Sequence, residues 1–244
     1  METTDLSHHI SSRFNEDLEA VRANLLKMGG LVEEQLQKAL AALSDADSEV
    51  AAEVVRNDEA VNRMEVAIDE ECLRILATRA PTAGDLRLIV AIIKAITDLE
   101  RIGDEARKIA NIALRLATHE RPPDRYREIK HLGRLVAGMV HEALDAFARM
   151  DVEAALRVPQ HDRLVDEEYE SMQRQCVTFM MEDPRQVRRI LDTTWAGRAL
   201  ERVGDHAKNI AEYVVYMVHG QDIRHTRLEE VATRIRARAE ARQP

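Results

Sequence analysis

Turn-forming and aromatic residues are scarce in this chain. Nine glycines and six prolines in 244 residues are roughly half the usual share for a soluble protein. Three Phe, four Tyr and one Trp make up 3%. A β-sandwich or barrel needs frequent turn residues and aromatic or β-branched strands, so both are excluded. Cysteine is limited to Cys72 and Cys176, too few for a disulfide scaffold. Long apolar runs are missing too: the longest, Leu88 to Ile93, stops at Lys94, far short of a membrane span. The start, METTDLSHHI, is polar and carries no apolar signal-peptide core. Positive charge is in deficit, with 35 Lys and Arg against 44 Asp and Glu, which argues against a nucleic-acid surface. What is present is 45% hydrophobic and 32% charged residues, in which Ala, Leu, Glu and Arg, good helix formers, recur. The expectation is an all-α, soluble, intracellular protein.

The few breaks divide the chain into six predicted helices, at about 6–44, 47–78, 82–119, 124–150, 152–181 and 184–219. Asp47 and Asp151 stand where a helix N-cap is expected. Thr82 with Asp85 three residues on reads as a capping box. Arg121-Pro122-Pro123-Asp124 cannot continue a helix. Asp183-Pro184 suits a helix start, and Gly220 a helix stop. In the third segment Leu88, Ile92, Ala95, Leu99, Ile102, Ala106, Ile109, Ala113 and Leu116 alternate in steps of four and three, a coiled-coil-like seam.

An internal repeat sets the architecture. Asp98-LERIGDEARKIA-Asn111 resembles Ala199-LERVGDHAKNIA-Glu212 at an offset of 101. Upstream the offset is 104: Asp58 pairs with Asp162, Cys72 with Cys176, Asp47 with Asp151 and Leu40 with Leu144. The chain therefore reads as two tandem three-helix bundles, 1–121 and 122–225, with a charged tail at 226–244. Short connections make neighbouring helices antiparallel.

The repeated core carries Glu100 and Asp104 in one copy and Glu201 and Asp205 in the other. Carboxylates four apart share a helix face and repel by a few tenths of a kcal/mol. The preceding helix brings Asp58 with Asn62, and Asp162 with Asp166. Such oxygen ligands suit magnesium, manganese, calcium or iron. The plainer reading is a solvated charged face, with Lys108 and Lys208 as ordinary ion-pair partners of Asp104 and Asp205. Gly103 and Gly204 sit mid-helix, where close helix approach is the expected reason. Cys72 and Cys176 are expected to be buried, Trp195 to be a core or interface anchor, and His206 to face solvent. One Glu-x-x-His, Glu128 to His131, stands without the second copy that a di-iron bundle needs. No phosphate loop, nucleophile elbow or zinc-protease motif is present. An enzyme is not expected; the alternative is a metal-dependent enzymatic role at the acidic patches.

The segments RAPTAGDLRLIVAIIKAITDLERIGDEARKIANIA (79–113) and ALERVGDHAKNIAEYVVYMVHGQDIRH (199–225), with the acids Asp58 and Asp162, resemble the PhoU family of phosphate-transport regulators. The resemblance covers about residues 6–226. It implies a non-enzymatic negative regulator of the phosphate-starvation response and of phosphate uptake. It implies a cytoplasmic adaptor, at the inner face of the membrane, between the ATPase subunit of a phosphate ABC transporter and a sensor histidine kinase. It also implies a homodimer, and in some members metal clusters, iron or zinc among them, on the acidic patches. Carried over, Glu100 and Asp104 mark the first patch, and Glu201 and Asp205 the second. The asparagine the family often has four residues after the motif's Asp is matched by Asn209 but not by Lys108. The second patch is thus the better metal candidate, with Lys108 expected to neutralise the first.

Overall fold

The computed structural model describes residues 3–79, 81–117, 127–223 and 226. Among them are six long helices and no strand: α1 (Thr3–Asp45), α2 (Ser48–Thr78), α3 (Ala83–Ala117), α4 (Arg127–Arg149), α6 (Val158–Glu182) and α7 (Val187–His219). A four-residue turn of helix, α5 (Val152–Ala155), precedes α6, and a 3₁₀ turn, Pro184–Gln186, precedes α7. The Arg121–Asp124 break and nearly all of the 226–244 tail lie outside the described residues. The predicted helix 152–181 is therefore two helices. Pro159 is the reason: it has no N–H, and its ring would clash with the carbonyl four residues back. The chain turns at Leu156 and Arg157, and Pro159 then opens α6 in its first turn.

The repeat is visible in the backbone. Ala46 and Met150, 104 apart, both adopt a left-handed conformation, with φ of 61° and 53°. Each is followed by an aspartate that caps the next helix. Asp47 Oδ1 accepts from the N–H groups of Glu49 and Val50 at 2.9 and 3.0 Å, and Asp151 Oδ1 from that of Ala154 at 3.0 Å. Asp85 ties back to Thr82 through its carboxylate at 2.6 and 3.1 Å, and Gly220 closes α7 with φ 67°. One unit packs α1, α2 and α3 together and the other α4, α6 and α7. The seam on α3 is buried from Ile92 to Leu116 and faces α1 and α2.

The two units join along α3 and α7, the broadest helix contact in the molecule, and where α1 meets α4. The second contact is reciprocal. A Cβ on Gly29 would lie 2.5 Å from Leu144 Cδ2, and one on Gly133 2.5 Å from Leu40 Cδ2. Each glycine makes room for the leucine of the other unit. Gly103 and Gly204 do not have this role. A Cβ there would reach Val61 and Val165 at 3.4 and 3.5 Å, ordinary contact, so steric need explains the first pair of glycines and not the second.

Candidate functional site

The structure brings the predicted acids together in two patches, one on each unit. In the first, α2 supplies Asp58 and α3 supplies Glu100 and Asp104, with Asn62 one turn on from Asp58 along α2. Asp58 is 6% exposed, Glu100 and Asp104 are half-buried and Asn62 is exposed. Arg107, one turn beyond Asp104, fills the patch. Its guanidinium lies 2.6 Å from Asp104 Oδ1 and 2.9 Å from Asp58 Oδ2. The contact of Nε with Asp58 Oδ2 is an ion pair without hydrogen-bond alignment, since Arg107 Nε has no hydrogen-bond partner; Asp58 Oδ1 is also buried without one. Lys108 does not neutralise this patch and does not pair with Asp104. It points toward α7 and meets Glu105 at 3.0 Å. Burial raises the Asp58 carboxyl above its ordinary value against the pull of Arg107. Burial and the neighbouring carboxylates Asp104, Glu65 and Asp58 raise Glu100.

The second patch has α6 supplying Asp162 and Asp166 and α7 supplying Glu201 and Asp205. Lys208 Nζ lies 2.6 Å from Asp162 Oδ2, and Arg198 reaches Glu201 at 2.7 Å. Burial lowers Lys208, but the hydrogen bond and charge of Asp162, with Glu212 and Asp205, outweigh it and leave the ammonium raised. Desolvation comes first and like charge second for the three remaining acids. Asp162 and Asp205 raise Asp166, Asp205 raises Glu201, and Asp162 raises Asp205. Glu201 Oε2 is buried without a hydrogen-bond partner. Lys208 stands at the repeat position of Arg107 and meets Asp162 as Arg107 meets Asp58; with Arg198 on Glu201, four carboxylates here share two cations. Among the described residues no three His, Cys, Asp or Glu side chains are gathered closely enough to hold a metal ion. A metal here would have to displace Lys208 from Asp162.

Asn209 is not part of the second patch, and His206 does not face solvent. Both turn from α7 into the joint with α3. The Asp98 carboxylate, 3% exposed, is 2.7 Å from His206 Nδ1. It accepts from Asn209 Nδ2 at 3.1 Å and from the Tyr213 hydroxyl at 2.8 Å. Further along the joint, Glu105 is also 3% exposed and pairs with Arg202 at 3.1 Å and with Lys108. Two buried acids on α3 thus clamp the second unit to the first. The sequence carries a sign of this. Ala91, Asp98, Glu105 and Ile112 form a seven-residue row beside the apolar seam, and Ala199, His206 and Tyr213 form the matching row.

Cys72 and Cys176 are buried, as expected. Burial pushes the Cys72 thiol up to about 12 and also raises Cys176, so neither offers a ready thiolate. Trp195 is not in the core: it is 64% exposed. Glu128 and His131 assemble no site; His131 lies 3.7 Å from Glu168.

Two tandem three-helix units, with buried acids at their joint and carboxylate patches on their flanks, define a duplicated helical-bundle protein. The PhoU domain model matches at residues 25–113 and again at 129–214, and the chain belongs to the PhoU family. It is 52% identical to the phosphate-specific transport system accessory protein PhoU homolog of Pseudomonas putida, across 97% of this chain and 92% of that one. The crystal structure of PhoU from Pseudomonas aeruginosa superposes with a TM-score of 0.83 at 55% identity, over 85% of this chain and all of that one. That of the phosphate transport system regulatory protein PhoU from Streptococcus pneumoniae gives 0.79 at 30% identity, over 86% and 98%.

Proposed function

We propose that this chain is an accessory regulator of phosphate transport that works by holding partner proteins and performs no catalysis. The observation that carries this reading is near full-length identity of 46–55% to relatives named as accessory proteins of the phosphate-specific transport system. In the finer form of the proposal it acts in the cytoplasm as a homodimer. It links the ATPase subunit of a phosphate ABC transporter to a sensor histidine kinase, and restrains the starvation response when phosphate is plentiful. Such coupling requires different affinity for two states of a partner, which a rigid two-unit scaffold with distinct patches can supply. Deleting the gene is expected to raise phosphatase expression and phosphate uptake in phosphate-rich medium. Unchanged expression and uptake would refute the regulator.

A divalent cation, such as iron, zinc, manganese or magnesium, is the second reading of the second patch. The unpartnered Glu201 Oε2 and the raised acids around it favour it. Protein purified without chelator should then hold metal, and its melting temperature should fall when EDTA is added, by an amount that vanishes in Glu201→Ala. Absence of bound metal together with an EDTA-independent melting temperature rejects the cation and leaves the patch to side chains.

A further inference from the structure

Beside the second patch, α6 and α7 flank an open groove of about 660 Å³. Its floor is apolar: Trp195 is 64% and Leu191 44% exposed. Its flank is acidic, with Asp166, Glu170 and Glu201. The one cation in its lining, Arg198, is already engaged by Glu201. A tryptophan and a leucine left in water forgo the stabilisation that burial would give, and such a patch rimmed by charge marks an interaction surface.

The lining of the groove is not repeated in the first unit. At the positions that correspond by the 104 and 101 offsets, the first unit has Asn62 for Asp166, Val66 for Glu170 and Lys94 for Trp195. Lys94 lies over the rings of Tyr213 and Tyr216, at 5.6 and 5.4 Å, and is spent inside the molecule. The second unit thus has an exposed aromatic face and surplus carboxylates where the first has an aliphatic residue, an amide and an internal lysine.

We propose that this groove docks a segment of a partner protein that presents arginine or lysine beside aliphatic side chains. Charge complementarity selects that occupant. A guanidinium stacked on Trp195 gains a cation–π contact while its charge meets Asp166 or Glu170, and an aliphatic neighbour covers Leu191. An anionic partner or an anionic lipid surface would be repelled. This inference rests on the reading of the protein as one that works by docking.

Trp195 is the sole tryptophan, so its emission reports on the groove directly. The probe is an amphipathic peptide of alternating leucine and arginine pairs, titrated into the full chain beside the same peptide with glutamate for arginine. The arginine peptide is expected to give a saturable blue shift and the glutamate peptide none. Glu170→Lys and Leu191→Ser, both at exposed positions, should each weaken binding about tenfold. Glu59→Lys, the same charge change on the distant α2, should leave it unchanged. Helicity by circular dichroism checks that each variant is folded. The proposal is overturned by equal weakening in Glu59→Lys, by binding of the glutamate peptide, or by the absence of a shift. It is also overturned if the emission of the protein alone moves with its own concentration, which would assign the groove to a second copy. In cells, Leu191→Ser should release phosphatase expression as deletion does. Deletion with effect and Leu191→Ser without effect rejects the groove alone. Deletion without effect rejects the regulator, and the titration still decides the groove.

Discussion

Asp98→Ala is expected to lower the melting temperature by about 10 °C. The substitution leaves His206, Asn209 and Tyr213 facing a vacated acceptor at the α3–α7 joint. Removing one partner from a buried charged network costs about 3–5 kcal/mol, because the remaining donors keep their desolvation penalty without their bonds. For a chain of this length, 1 kcal/mol corresponds to about 2–4 °C. Asp98→Asn retains an acceptor and should lose less. A double-mutant cycle of Asp98→Ala with Tyr213→Phe should show strong coupling, since both remove the 2.8 Å bond and the second removal costs little after the first. Thermal unfolding followed by circular dichroism measures both. A drop of less than about 2 °C, against the span expected here, would mean that the joint does not depend on this cluster.

Arg107→Met should give the second-largest loss, about 2 kcal/mol once partial solvent exposure of the guanidinium is allowed for. Asp58 would then be charged, nearly buried and unpaired. The sign of the pH dependence follows from its carboxyl. Burial already raises Asp58 in the folded state, and removing Arg107 raises it further. The folded protein then binds this proton more readily than the unfolded chain, so stability is regained as pH falls through the raised value. The melting-temperature gap between Arg107→Met and the parent should be wide near neutral pH and narrow on acidification. Asp58→Asn in the Arg107→Met background should close it at neutral pH. A gap independent of pH would show that Arg107 acts through packing of its stem and not through its charge.

The elements that were legible in the sequence are those set by local chemistry and period. The α3 seam, the caps at Asp47 and Asp151 and the stop at Gly220 each depend on residues within one or two turns. The patches were legible because Glu100, Asp104 and Asp58 recur as Glu201, Asp205 and Asp162. What resisted was the choice between neighbouring faces of one helix. Arg107 and Lys108 differ by 100° around α3; only the position of α2 decides that Arg107 enters the patch and Lys108 turns to Glu105. The same holds for Asn209, which sits four residues after Asp205 yet rotates into the joint because α7 packs on α3. His206 is buried for that reason and not by any preference of its own. The split before α6 has a purely local cause, Pro159, masked by a helical pattern on both sides of it.

The reciprocal seating of Leu144 at Gly29 and Leu40 at Gly133 bears on the origin of the chain. A self-complementary contact of this kind is what two identical subunits make about a twofold axis, so a half-length ancestor could have used it to dimerise. The Asp98 cluster could not have been built that way with its present residues: the counterpart of Asp98 is Ala199, and that of His206 is Glu105. Fusion of the two copies let the joint become lopsided, and with it the flanks. One half has an asparagine and an inward lysine, Asn62 and Lys94, while the other carries Asp166 and the exposed Trp195 at those positions. A duplicated gene thereby has one half free to serve as frame and the other free to change what it binds.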